Sequence, residues 1–381
     1  MSTVSRIPEE RSDAENRWVS FQPYLQSKGY QLRPRYHPDW VPSWIKTGSN
    51  PLDCEDATDV IPIRTLDAVR AQDQLQVVIK MLTPSNTDRE GEEELEILQH
   101  FNSSPLNEDP ANHVTPCLDS FPIPGVAGGM FFVMPLLSDY KDPPFQNLAE
   151  IHDFLTQIFE VCMIPAKYSV SLMVSHKGLD FLHRHDVAHC DIAPANIMMD
   201  KRPLYNESFH PFHQQLSLDG NRPLWPKYSR SRRPVRYYYI DFGYAKWFKD
   251  PSAPRALVGI HAKERVPEQL AGTPYDPFKA DIFQLGAILR RDLIPKYKPL
   301  GFLLPLARDM TSPDPQKRPN IQIAQQNMHI HFAGVAGWRT RWPIVAPGTP
   351  FQKRVMFIIS GLALEALVFL KRILGIFVPG S

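Results

Sequence analysis

The sequence predicts an α+β chain in which a small β-rich lobe precedes a larger helical one. Three observations carry this. Between Thr65 and Leu82 two β-branched runs flank a polar turn, the pattern of a hairpin. Residues 88–101, DREGEEELEILQHF, open with acids and continue with Leu95, Leu98 and Phe101 at helical spacing. From Ile151 the pattern turns helical, with Phe154, Leu155, Ile158 and Phe159 on the apolar stripe.

Bulk properties narrow the function classes. The 381 residues suffice for one large domain or two medium ones. Apolar residues make up 43%, so a sizeable core is expected and wholesale disorder is not. A net charge of +1 gives no global pull toward nucleic acid, so charge recognition must be local. The 38 prolines imply long irregular connections. Cys54, Cys117, Cys162 and Cys190 show neither zinc-cluster nor paired spacing, which points to a reducing, cytoplasmic compartment. The opening MSTVSRIPEERSDAENRW lacks the apolar run of a signal peptide.

Along the chain, residues 1–60 are polar with interspersed Trp18, Tyr24, Tyr30, Tyr36, Trp40 and Trp44. They read as an N-terminal extension that docks on the domain behind it or on a partner, or as a partly ordered arm. After the hairpin and the acidic helix, HVTPCLDSF and GGMFFVMPLL read as short strands. Residues 161–177, VCMIPAKYSVSLMVSHK, interrupt the helical pattern and contain the helix breaker Pro165. Joining Glu160 to Gly178 restores a smooth helical run, QIFEGLDFLHRHDVAHCD, so 161–177 reads as an insertion. Residues 201–236 form a second irregular stretch, with eight Lys or Arg against Glu207 and Asp219. A solvated loop is the simpler reading and a docking site for an acidic or phosphorylated partner the other. In the tail, 324–381, residues 355–378 are strongly apolar. The run before Glu365 is too short to span a bilayer, and Gly361, Glu365 and Arg372 share a helical face. A helix on a membrane surface, a tail anchor and a helix packed on the domain all stay open.

The chemistry centres on H-C-D-I-A-P-A-N-I-M-M-D, His189 to Asp200. Phosphoryl transfer needs a carboxylate that takes or orients the proton of the attacking hydroxyl, and Asp191 fits that role. It also needs an oxygen ligand for magnesium five residues on, which Asn196 supplies. Next comes Y-Y-Y-I-D-F-G, Tyr237 to Gly243, where Asp241 ends a buried strand and can chelate the metal that bridges nucleotide phosphates. Upstream, V-V-I-K places Lys80 at a strand end, and Glu94 on the following helix is its expected partner, with Glu93 the alternative. Such a pair fixes the α and β phosphates. Met134 to Leu137, closing FFVMPLL, would offer backbone groups to adenine, with Met134 and Leu136 lining that site. R-V-P-E ending at Glu268, D-I-F-Q-L-G opening at Asp281, and D-P-Q-K-R-P containing Arg318 follow in order.

These motifs resemble the eukaryotic protein kinase superfamily over about residues 62–323. More narrowly they resemble a fungal kinase-like family with an N-I-M-M-D catalytic loop, a long insert before Y-Y-x-I-D-F-G, and a P-Y-D-P-F-K-x-D segment. The resemblance implies a bilobal fold, with an N-lobe at about 62–137 and a C-lobe at about 138–323. It implies ATP with Mg²⁺ as cofactors and Ser or Thr of a protein substrate as acceptor. A buried Glu268–Arg318 ion pair is also implied. The alternatives are a pseudokinase scaffold and a kinase of a non-protein substrate. No nucleic-acid partner is expected; the oligomeric state is not specified, and 355–378 is the candidate membrane contact.

Four departures from the family pattern stand out. No G-x-G-x-x-G precedes Lys80, where the matching stretch is IPIRTLDAVR. Ala193 replaces the usual Lys that neutralises charge on the transferring phosphoryl group. Cys190 replaces the usual Arg before Asp191, and the 161–177 insertion interrupts the helix leading into the loop. Between Gly243 and Pro267 the only Ser or Thr is Ser252. A segment ordered by phosphorylation needs both an acceptor and a receiving Arg cluster. Phosphatase treatment and Ser252→Ala are therefore expected to leave any phosphoryl-transfer rate nearly unchanged. A loss of about tenfold, or 1.4 kcal/mol of barrier, in a turnover assay would contradict this.

Overall fold

The computed structural model describes residues 8–57, 63–83, 91, 93–159, 161–163, 174–176, 178–250, 252–259, 262, 264–345 and 350–374. The chain divides into two compact units. One comprises Met1–Asn102, Thr115–Ser138 and Asp200–Tyr228; the other comprises Ser103–Val114, Asp139–Met199 and Ser229–Ser381.

The first unit is built on an antiparallel sheet. Helix α1 (Asp13–Ser27) leads into β1 (Tyr30–Gln31), followed by β2 (Thr65–Arg70) and β3 (Leu75–Leu82). Helix α2 (Glu94–Phe101), β4 (Asp119–Pro122) and β5 (Met130–Pro135) complete it, and the strand order is β1-β2-β3-β5-β4. The expected hairpin is β2–β3, closed by a turn in which Gln74 adopts a positive φ of 59°. Alternation decides what each face does. Leu66, Ala68, Val77, Ile79 and Met81 point to one side and form a core with Phe131, Val133 and residues from the N-terminal stretch. Trp18, Leu25 and Tyr36 of that stretch are fully buried there. Burying each such side chain stabilises the fold by about 1.5–3 kcal/mol.

The described N-terminal residues, 8–57, therefore pack within this unit. Trp18, Phe21, Tyr24, Tyr30 and Tyr36 pack on the sheet face opposite Lys80. Helix α1 is fixed by a capping box, with the Ser12 side chain accepting from the Glu15 N–H while Glu15 accepts from the Ser12 N–H. The same Glu15 carboxylate accepts from buried Arg35 at 2.5 Å. Burial opposes ionisation of Glu15, but the Arg35 and Ser12 hydrogen bonds outweigh it and hold the carboxyl below its ordinary range. Arg35 also donates to the carbonyls of Pro8, Glu10 and Asp56 and so gathers the extension around one guanidinium.

The 201–236 stretch departs from the solvated-loop reading. Its first part, to Tyr228, packs within the sheet unit. Lys201 is buried, donates to the Gln214 carbonyl at 3.0 Å and lies 4.5 Å from the Phe209 ring centre. In the second unit Arg230 is likewise buried, 4.1 Å from the Phe145 ring, and donates to the Tyr237 hydroxyl and the Tyr140 carbonyl. These cations serve as internal fasteners because aromatic faces and carbonyls receive them. HVTPCLDSF also splits: only Asp119–Pro122 is a strand. Pro116 has no N–H to continue a ladder, and His113 and Val114 pair instead with Tyr239.

The second unit is mostly helical. Helix α3 (Leu148–Phe159) is followed by the short strands β6 (Val161–Met163) and β7 (Val174–His176), which pair with each other, and then by α4 (Gly178–Arg184). Short strands β8 (Val187–Ala188), β9 (Ile197–Asp200), β10 (Arg236–Tyr239) and β11 (Lys246–Trp247) frame the catalytic-loop motif. Helices α5 (Pro277–Ala287), α6 (Leu304–Met310), α7 (Ile321–Ala333), α8 (Gly337–Arg341) and α9 (Phe351–Ile373) complete the unit. Residues 375–378 of the expected tail helix, and 164–173 and 177 of the insertion, lie outside the described residues.

The geometry at Gly178 bears on the insertion. A Cβ there would lie 2.5 Å from the carbonyl oxygens of both Gln157 and Ile158. Thus α4 begins against the C-terminal turn of α3, and the intervening segment leaves and returns at one place. Gly178 also takes φ +60°, which a side chain would disfavour. Deleting Val161 to Lys177 is expected to raise the thermal midpoint, and to raise turnover if either form turns over. A deletion variant that aggregates or melts lower would place those residues in the core.

Candidate active site

In the first unit, Lys80 lies on β3 on the face opposite the packed core. Its Nζ is 2.5 Å from Glu94 Oε1 on α2, and Glu94 is buried. Of the two acids offered by the sequence, Glu94 takes this position because the first turn of α2 points it at the sheet, with Ile97 and Leu98 packed beneath. A Lys held so is a fixed point charge.

Met134 lies on β5 opposite Val78, and Leu136 follows the strand end. The Leu136 N–H donates to the Gln76 carbonyl at 3.0 Å, and Gln214 Nε2 donates to the Leu137 carbonyl at 3.1 Å. Leu136 is buried in a cluster with Phe209 and Leu224, against which Val78 and Tyr205 also pack. The segment expected to meet adenine therefore already has two backbone groups engaged and its apolar surface covered by residues of the 201–228 stretch. Sequence reasoning missed this. The signal was the apolar set Tyr205, Phe209 and Leu224 among the charges.

A cavity of about 700 Å³ lies in the same unit, lined by Arg33, Asp67, Gln76, Leu136, Glu207 and Arg222 among others. Lys80 does not line it. Arg33 is tied to Asp67 and Glu55, both at 2.9 Å. With Glu55, Asp67, Glu207 and Asp219 against two arginines, the lining is acidic and ill suited to a polyphosphate.

In the second unit the catalytic-loop residues come together. Asn196 Nδ2 donates to both the backbone oxygen and Oδ2 of Asp191, each at 2.8 Å. Both residues are buried. The Ile240 N–H donates to the Asn196 carbonyl at 3.0 Å, so the next residue, Asp241, is brought beside the loop. The Asn196 amide turns its NH₂ to Asp191; its side chain also carries an amide oxygen, and Asp241 adds a carboxylate. Two oxygen donors, with waters completing the shell, suit Mg²⁺, a hard ion that binds few protein ligands. Cys190 and Asp241 both hold positive φ, 64° and 61°. Such strain persists only where the surroundings fix it.

Those surroundings are legible atom by atom. Buried Asp281 on α5 accepts from the N–H groups of His189 (2.9 Å) and Cys190 (2.8 Å), and bonds His183 Nε2 at 2.9 Å. Gln284, one turn later, accepts from the Ile192 N–H and donates to the Cys190 carbonyl. His189 Nδ1 accepts the Asp191 N–H while Nε2 meets the Ile240 carbonyl, which assigns the proton to Nε2. Its ring lies 4.8 Å from that of Phe242. The motif D-I-F-Q-L-G, which opens at Asp281, does not by itself assign a role to Asp281 or Gln284. An acid in the run Ala280–Leu285, where every other residue but Gln284 is apolar, was the available signal. Cys190 packs with Ala188 and Phe248 in an apolar cluster.

Arg318 and Glu268 form a bidentate pair at 2.6 and 2.7 Å, and Arg318 lies 4.9 Å from the Phe283 ring. Arg318 also donates to the carbonyls of Ser312 and Lys279. Arg318→Ala is expected to cost about 3–5 kcal/mol, since it strands a partly buried carboxylate. Denaturant unfolding reads this directly, and a change under about 1 kcal/mol, the scale of a solvent-exposed ion pair, would show the pair to be structurally idle.

No family profile matches the chain. Curated relatives are similar to it at low identity. A Wee1-like protein kinase of Drosophila melanogaster is 28% identical over 187 residues, covering 44% of this chain and 30% of that protein. The serine/threonine-protein kinase STY17 of Arabidopsis thaliana is 26% identical over 162 residues, 42% of this chain and 22% of that protein. A cyclin-dependent kinase-like 2 of Oryctolagus cuniculus is 26% identical over 149 residues, 36% of this chain and 23% of that protein. The chain thus spans less than a third of the length of each of these relatives. All three are protein kinases, and together with the α+β fold they support a place for the chain in the protein kinase superfamily.

Proposed function

We propose that the chain binds ATP with Mg²⁺ and transfers the γ-phosphoryl group to a Ser or Thr hydroxyl of a protein. The observation that carries this is the Asp191–Asn196 pair, with Asp241 brought beside it by the Ile240 hydrogen bond. Asp191 would accept the hydroxyl proton as the new O–P bond forms and the bond from Pγ to the leaving ADP oxygen breaks. Asn196 and Asp241 would hold Mg²⁺, which neutralises charge on the phosphates. In the first unit, the Lys80–Glu94 pair is the one the kinase pattern assigns to phosphate charge. Ala193 adds no cation here, so a modest rate is expected. The N-I-M-M-D loop and P-Y-D-P-F-K-x-D segment favour the fungal kinase-like family as the nearer kin. From the unpaired spacing of its cysteines we propose a reducing, cytoplasmic location.

One observation favours a second reading, a pseudokinase scaffold. Phe209, Leu224 and Gln214 cover the segment expected to receive adenine. On that reading nucleotide would bind weakly or not at all, and the protein would act by contacts. Thermal melts with MgATP separate the two. Saturation at 100 times Kd stabilises a fold by about 2.7 kcal/mol, so a clear upward shift is expected, weakened by Asp241→Asn. Radiolabelled ATP with a generic protein acceptor should then show transfer that Asp241→Asn abolishes. A folded protein with no shift at millimolar MgATP would exclude the enzyme reading and leave the scaffold.

A further inference from the structure

Helix α9 presents far more apolar surface than it buries. Its 23 residues extend about 35 Å at 1.5 Å per residue. Only a narrow stripe meets the second unit. Gly361 lies against Trp342 and Pro343, Val368 is buried, and Phe357 and Glu365 are half-buried. These positions are spaced by four, four and three, one side of a helix. The rest faces outward: Met356, Ile359, Leu362 and Phe369 are each about 60% exposed or more, and Ile358, Leu367, Leu370 and Ile373 are also exposed. A contiguous apolar surface of this kind marks an interaction site.

Charge decides among occupants. Glu365 is the only acid between Phe351 and Leu374. Arg341 of α8 takes it up through two bonds of 2.9 Å. The sequence sets Lys353 and Arg354 at one end of the apolar run and Lys371 and Arg372 at the other. Two copies paired along this helix, in either direction, would bring basic ends against basic ends. By spacing these four residues continue the packed side (353 to 357, 368 to 372) and so border the apolar face instead of interrupting it; the net basic helix is drawn to an anionic surface by about 1 kcal/mol per basic residue near it. Trp338 and Trp342 meet edge to face beside the helix, with Trp338 half exposed, and such rings favour the membrane–water interface. Among the described residues no helix is long and apolar enough to cross a membrane.

We infer that α9 lies flat on an anionic lipid surface and holds the chain there. This inference stands apart from the phosphoryl-transfer reading and needs no nucleotide. The test is co-sedimentation of the full chain with vesicles of phosphatidylcholine, with and without phosphatidylserine. The expected result is pelleting with the anionic vesicles, weakened by high salt and weakened about tenfold or more when Ile359→Glu and Leu370→Glu are combined. Both positions face outward, so an unchanged melting curve verifies the fold; Lys371→Glu with Arg372→Glu provides a second, charge-only variant expected to lose binding. Trp225→Ser removes an exposed tryptophan elsewhere and should bind as the parent does. Pelleting with neither vesicle, equal pelleting with both, or loss of binding on Trp225→Ser alone would overturn the inference. Concentration-dependent dimerisation abolished by the Glu variants, without vesicle binding, would assign the helix to a second copy instead.

Discussion

The architecture of the helical unit depends on one buried carboxylate. Asp281 has no access to solvent, and its oxygens are used by two consecutive backbone N–H groups and a histidine ring. A buried charge is tolerable only with such satisfaction. The consequence is that His189 and Cys190 are clamped from below, with Cys190 held in a left-handed conformation that an unsupported chain would abandon. From that clamp the loop reaches Asp191 and Asn196, and the Asn196 carbonyl accepts from Ile240, just past the end of β10. The groups with chemistry are few, and most of the polar side chains around them serve to place them.

The short motifs were legible because their chemistry is local. Asp191 and Asn196 sit five residues apart in the sequence and bond each other in the fold. Lys80 and Glu94 needed one further step, the expectation of a strand and then a helix, which amphipathic spacing supplied. What stayed hidden depends on distant partners. Trp18 and Tyr36 look like scattered aromatics in a polar arm, yet they complete the core over a sheet that begins at Tyr30. Lys201 and Arg230 look solvated by composition, yet each finds a ring and a carbonyl. Composition measures the average fate of a residue type, and a buried cation is the exception that only its particular neighbours can explain.

The sheet unit is covered on both faces by segments outside the motifs. The N-terminal stretch covers one, and the 201–228 stretch covers the other around Leu136. Arg33 and Arg35 lie close together in sequence and tie separate parts of this covering, Arg33 to Glu55 and Asp67, Arg35 to Glu15 and the backbone around it. A sheet so enclosed gains apolar burial and forgoes the open backbone that a loosely covered strand edge would present.

The close approach of Gly178 to the end of α3 has a topological meaning. When a segment departs and rejoins at nearly one point, its ends are already together, and the entropy of closing it grows only as the logarithm of its length, about 0.6 kcal/mol per doubling. The rest of the fold then hardly registers how long the segment is. Length variation between Phe159 and Gly178 is therefore expected to cost this unit little in closure entropy.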